Sequence, residues 1–169
     1  MKQLFLVMTM VLLLGLVGCG YQLQGGGYIK GNTRRVAVAV FQNKTAHAQA
    51  GVAFTNELVR EIQEKTDTRV VSAANGIGQV EGTVVSITYS TASRSSSTNV
   101  VQRTVTARLN LRLVDGQGKV LWSRNGFSAS EIYDVNEDGI NDLQKVNEAV
   151  DRIARRSAER ILSELMANF

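Results

Sequence analysis

Residues 101–118 read VQRTVTARLNLRLVDGQG, and their alternation decides the fold. Val101, Val105, Ala107, Leu109, Leu111 and Leu113 fall on one side of an extended chain, while Gln102, Thr104, Thr106, Arg108, Asn110 and Arg112 fall on the other. A period of two with one apolar and one polar side is the pattern of a strand with a core on one face only. Asp115-Gly116-Gln117-Gly118 then supplies the turn residues of a tight hairpin. The strand from Lys119 to Ile132, carrying Leu121, Trp122 and Phe127, therefore returns antiparallel. On the other side, Gln79 to Thr91 carries Val80, Val84, Val85, Ile87 and Tyr89 and completes a three-strand meander.

Working outward, Arg34 to Phe41 is apolar at every position from Val36, which predicts a strand buried on both faces. Gln42-Asn43-Lys44-Thr45 closes it as a loop. Gly51 to Lys65 has helical spacing: Phe54, Leu58 and Ile62 form a stripe with Val59 beside them, and Arg60, Glu61 and Glu64 take the wet side. Arg69-Val70-Val71 starts a short strand, and Asn75-Gly76-Ile77-Gly78 is a turn without the residues of a phosphate loop. From about Asp142 to Ala167 a second amphipathic helix has Leu143, Val146, Val150, Ile153, Ser157, Ile161 and Leu165 inward, widened by Ala149, Ala154, Ala158 and Leu162. Two apolar helix stripes and one apolar sheet face predict an α+β domain over 34–169. Its four-stranded, mostly antiparallel sheet would carry both helices on one face, in the order β-α-β-β-β-α.

The N-terminus carries a different message. Lys2 precedes an apolar run from Leu4 to Val17, too short for a membrane span and built like a secretory signal. It ends Leu16-Val17-Gly18-Cys19, the pattern at which a lipoprotein signal is cut and the cysteine acylated. Cys19 is the single cysteine of the chain, and a lone thiol elsewhere in a secreted protein would be odd. Residues 1–18 are thus expected to be removed. Cys19 is expected to carry acyl chains that hold the protein to a membrane, and 19–33, rich in glycine, to act as a flexible tether. Gly20 in place of Asp leans towards the outer membrane, with the domain on its periplasmic side.

Charge and composition exclude more than they assert. The formal net charge of +4 falls to +3 without Lys2, a mild excess that suits anionic lipids or phosphates and, in this compartment, not nucleic acid. His47 is the single histidine and stands in a polar loop, so no Ser-His-Asp or Cys-His set can be assembled, and no enzymatic activity is expected.

The sharpest chemical pattern is Asp134-Val-Asn136-Glu-Asp138-Gly139-Ile140-Asn-Asp142. Hard oxygens at alternate positions, a glycine for the turn and the Ile140 carbonyl suit a calcium loop. Lys145 stands where an EF-hand would have its bidentate Glu, so the shorter loops of extracellular repeats are nearer. A turn capping the last helix through Asn141 or Asp142 explains the same residues, and both readings stay open.

CGYQLQG (Cys19 to Gly25), VAVAVFQNKT (Val36 to Thr45), FTNELVREIQEK, VEGTVVSITYS (Val80 to Ser90), LRLVDGQGKVLWS (Leu111 to Ser123) and the final helix ending at Phe169 together resemble the LptE family of lipopolysaccharide-assembly lipoproteins. The resemblance runs in order over the whole chain and implies a non-enzymatic plug and partner of the LptD outer-membrane β-barrel that helps insert lipopolysaccharide into the outer leaflet. It makes Arg94, in the serine-rich tip STASRSSSTN (Ser90 to Asn99), a candidate contact for lipid phosphates, or else a solvated loop side chain, with Arg103 and Lys119 as further basic candidates. Arg108, Asn110 and Arg112 are the candidates for meeting a polar barrel lumen, or else simply face water. The alternative is a self-associating envelope lipoprotein built on a similar αβ unit, of the CsgG secretion type.

Overall fold

A computed structural model describes residues 26–94, 100–135 and 139–167. The expected signal segment, Cys19 and Phe169 lie outside these residues. The strands are β1 (Arg35–Val38), β2 (Gln42–Asn43), β3 (Arg69–Val70), β4 (Gly78–Arg94), β5 (Val100–Asp115) and β6 (Val120–Asp134); the helices are α1 (Ala50–Lys65) and α2 (Gly139–Met166). Short 3-10 turns at Lys30–Asn32 and Ala73–Asn75 complete the element list.

The expected meander is present. β4 and β5 pair antiparallel from Gly78↔Asp115 to Arg94↔Val100, and β5 and β6 from Gln102↔Asp134 to Val114↔Val120. The turn between the last two is closed by Asp115, whose Oδ1 accepts the amides of Gln117 and Lys119, both at 2.9 Å, while Gly118 takes φ +83°.

The rest of the sheet departs from the expected four mostly antiparallel strands. It is six-stranded and mixed, in the order β3-β1-β4-β5-β6, with β2 also on β4. β1 is parallel to both neighbours, through Arg35↔Arg69 on one side and Val36↔Gly78 on the other. The cause is the helix: α1 carries the chain back to the end where β1 began, so the next strand must start there and run the same way. The Ala73–Asn75 turn then carries the chain from β3 to the other edge of β1, where β4 starts in the same sense.

β1 and β2 are one path along β4 broken by an extra residue. Val38 pairs with Val80 and Gln42 with Thr83, four residues against three. The bulge reverses the local alternation, so Val40, expected in the core, is 68% exposed, while Phe41 is buried. The Phe41 amide leaves the ladder and donates to Thr55 Oγ1 at 2.9 Å, whose hydroxyl donates to the Gly51 carbonyl at 2.7 Å. That arrangement pays the polar groups of the bulge inside the core.

Phe54, Leu58 and Ile62 of α1, Val150, Ile153, Ile161 and Leu165 of α2, and Val80, Val84, Val105, Leu109, Leu111, Leu113 and Phe127 of the sheet form one core. Both helices therefore cover a single sheet face. Two expected positions differ. Glu61, placed on the wet side, is 8% exposed, and Leu143, placed in the inner stripe, is 61% exposed, because α2 starts beyond the end of the packed core. The described part of the expected tether also differs: Ile29 is fully buried and its amide donates to Thr68 Oγ1, so residues 26–33 belong to the domain. No helix among the described residues is long and apolar enough to cross a membrane.

Candidate functional site

The sheet face opposite the helices is a polar carpet. β5 contributes Thr104, Thr106, Arg108, Asn110 and Arg112; their partners across the ladders are Ser90, Thr88, Ser86, Thr83 and Glu81 of β4, and Ile132, Ser130, Ser128 and Ser123 of β6. Thr106 and Ser130 share a hydrogen bond of 2.9 Å between hydroxyls. Arg112 donates from Nε to Glu81 Oε2 at 2.6 Å, an opposite-charge pair across neighbouring strands. Asn110 Oδ1 accepts the Gly126 amide at 2.8 Å, and Gly126, with φ +67°, forms a β6 bulge opposite it. Arg108 is exposed and takes part in no ion pair among the described residues. The three residues read as barrel-facing thus share one open surface. Of the three, Asn110 also has a structural duty.

Beside Arg112 the bulge of Val40 and the start of β6 leave a shallow cleft of about 720 Å³, lined by Val40, Gln79, Thr83, Asn110, Ser123 and Asn125 among others. Its walls hold mainly amide and hydroxyl groups, with one ion pair. That chemistry suits hydrogen bonding to another polar surface.

The cationic candidates do not converge. Arg94 ends β4 and Arg103 lies near the same end of β5, on the helix side, with its guanidinium 3.9 Å from Asp142 of α2. Lys119 follows the turn at the opposite end of the sheet. Near Arg94 and Arg103 the apolar side chains Tyr89, Val101 and Leu143 remain exposed. Burial and the neighbouring Tyr133 push the Tyr89 phenol above its ordinary range.

Of the calcium pattern, Asn136 and Asp138 lie outside the described residues. Asp134 Oδ1 accepts Gln102 Nε2 at 2.9 Å, Ile140 lies in the first turn of α2, and Asp142 is the acidic residue of that turn. An acid there complements the helix dipole. Among the described residues no three His, Cys, Asp or Glu side chains gather where a metal could sit.

Two features were not foreseen. Glu131, on the helix side of β6, accepts Arg152 Nε at 3.0 Å and also Arg156 Nη1, fastening α2 to the sheet. Glu61 is held protonated more readily than an ordinary carboxyl, first by burial and then by Glu159 on the facing helix. The i, i+4 spacing of Arg152 and Arg156 put them on one helix face, but only the pairing of Glu131 with Val105 shows which acid they meet.

A family model described as LptE, lipopolysaccharide-assembly, matches residues 33–165. No curated protein matches the chain in sequence. Among solved structures the chain is similar to an uncharacterized lipoprotein B from Nitrosomonas europaea, at 19% identity and TM-score 0.61, over 88% of this chain and 92% of that one. The rare lipoprotein B from Shewanella oneidensis gives 15% identity and TM-score 0.52, over 77% and 92%. The PelC dodecamer from Paraburkholderia phytofirmans gives 18% identity and TM-score 0.50, over 80% and 90%. At such identities these likenesses carry the fold alone.

Proposed function

The chain belongs to the LptE lipopolysaccharide-assembly family, and from that premise we propose that it is an outer-membrane lipoprotein, acylated at Cys19, which occupies an LptD-type β-barrel and assists insertion of lipopolysaccharide. The observation that carries this reading is the open sheet face. One face of the sheet is sealed by two helices, and the other presents Arg108, Asn110, Arg112 and rows of hydroxyls, with Ile132, Val120 and Val40 as exposed apolar members among them. A water-filled barrel interior is lined by groups of the same kind, so the two surfaces can exchange hydrogen bonds, with Arg108 as the charge that the wall must partner.

Lipopolysaccharide would be met at the other candidate region. Arg94 and Arg103 stand close to the exposed Tyr89, Val101 and Leu143, so cations that suit phosphates lie next to apolar surface that suits acyl chains. The work is binding and positioning, with no covalent step.

A second reading is self-association. The PelC neighbour, of the same fold, forms a dodecamer, so this architecture is compatible with rings. Affinity purification of the tagged lipoprotein from detergent-solubilised envelopes separates the two. A stoichiometric large barrel is expected. Recovery of self-oligomers alone, from envelopes in which the barrel is present and extracted, would overturn the plug reading in favour of a ring.

A further inference from the structure

The end of the domain where the chain enters is markedly basic. Arg35 and Arg69 begin the parallel strands β1 and β3 and pair directly, side by side. Lys65 ends α1, Arg34 precedes β1 with its guanidinium 5.4 Å from the centre of the Tyr28 ring, and Lys30 donates to the Ala167 carbonyl at the end of α2. Lys119 follows the β5–β6 turn, two strands across from β1 at the same end. None of these six takes part in an ion pair among the described residues. Among the described residues, carboxylates at this end include Asp115, whose Oδ1 is occupied in its own turn, Asp67, beside Gly26, Glu64, which pairs with Arg60, and Glu164, which pairs with Arg124, so the cations remain in excess.

Like charges placed side by side at a strand start are unfavourable unless an anion meets them. The length of chain outside the described residues says where that anion is. Six residues separate Cys19 from Gly26, and fully extended this connection spans at most about 25 Å. An acyl anchor at Cys19 thus keeps this end, and not the Arg94 end, within reach of the headgroups of its own bilayer.

We infer that the basic end formed by Lys30, Arg34, Arg35, Lys65, Arg69 and Lys119 docks on anionic phospholipid headgroups of the membrane that holds Cys19, and so orients the domain. The inference rests on acylation at Cys19 and is independent of the barrel. The acyl chains supply the retention; the cations supply the tilt of the lipoprotein while it stands outside the barrel, with the basic end at the headgroups and the Arg94 end away from them. Headgroup attraction falls off within a Debye length, so the orientation is salt-sensitive while the anchoring is not. Each charge removed should weaken the docked state about fivefold.

The test uses the acylated protein on vesicles of phosphatidylcholine alone, with phosphatidylglycerol, or with lipopolysaccharide. Reaction of lysines with a water-soluble amine reagent is read by mass spectrometry. Lys30, Lys65 and Lys119 should react several-fold more slowly on phosphatidylglycerol than on phosphatidylcholine, and raised salt should remove the difference. Lys145, near the start of α2 at the other end, serves as the unchanged control. Arg34→Glu with Arg69→Glu should abolish the slowing. If that pair melts the domain, Lys119→Glu, in an exposed turn, should reduce it. Equal rates on both phospholipid vesicles, or slowing on lipopolysaccharide alone, would overturn the inference. Protein that does not float with phosphatidylcholine vesicles would overturn the anchor itself, a result distinct from loss of docking.

Discussion

The ring of Phe41 occupies the space in which a β-carbon at Gly82 would stand: such an atom would be 2.5 Å from the ring's Cγ. The bulge between β1 and β2 turns Phe41 into the core, and β4 receives it at Gly82, which has no side chain to move aside. Gly82→Ala is therefore expected to destabilise the domain by about 1–3 kcal/mol, the usual cost of overpacking. Adding Phe41→Leu should recover part of that loss, whereas two independent lesions would add. Denaturant midpoints of the four proteins in the cycle measure this, and strict additivity would mean the two positions do not meet.

Glu61 makes a pH prediction of definite sign. Burial, then Glu159, raises its folded-state pKa above the ordinary carboxyl value of 4.5. The folded protein thus binds the proton more tightly than the unfolded one. This contribution is fully present below the unfolded pKa and is lost as pH rises through the raised folded value. Glu61→Gln, which keeps the shape and removes the titration, should raise the melting temperature by a few degrees at pH 7 and leave it nearly unchanged at pH 4. An equal shift at both pH values would mean that the amide gains a new contact and that titration of Glu61 is not the cause.

The legible and illegible parts of this fold divide along a physical line. The alternation in β5 fixes which residues face the helices because a one-residue slip would expose Leu109 and Leu111, and the structure keeps that register. The Asp115 turn is likewise local chemistry. Parallel pairing of β1 depends on where α1 returns the chain, which no window of sequence contains. Val40 was misplaced because a bulge shifts the period without marking the composition. Glu61 was misplaced because a charged residue at a helix flank gives no sign of what lies across from it. For the candidate surface, the polar side of β5 follows from alternation alone, and the separation of Arg103 from Lys119 follows from the length of β5, near whose opposite ends they lie.

That separation makes the basic residues experimentally distinguishable. Arg94 and Arg103 lie at one end of the β4–β5 hairpin and Lys119 at the other, so one lipid A headgroup cannot touch both ends. Arg94→Asp is expected to weaken lipopolysaccharide binding by roughly tenfold, as loss of one charge-assisted contact does, with the melting temperature unchanged. Lys119→Asp should leave lipopolysaccharide affinity within about twofold. Equal losses from the two variants, measured by the same binding titration, would move lipopolysaccharide away from the Arg94 end or make its attraction a matter of net charge alone.

The open sheet face can be tested by bulk as well as by charge. Thr106 and Ser130 face each other there with their hydroxyls 2.9 Å apart, outside the core, so a large side chain meets only water in the isolated domain. Ser130→Trp should fold with near-wild-type stability, since surface changes away from buried groups usually cost less than about 0.5 kcal/mol. Seated in a barrel lumen, the same indole would collide with the wall, and co-purification of the barrel should fall at least tenfold. Arg108→Glu on the same face should reduce it less, because a lumen of mixed polar groups discriminates shape more strongly than one charge. The matched control is Arg155→Trp, exposed on α2 and facing away from the sheet. Should Arg155→Trp block co-purification while Ser130→Trp does not, the barrel would be bound through the helical layer, and the polar carpet of β4, β5 and β6 would be a surface that faces water.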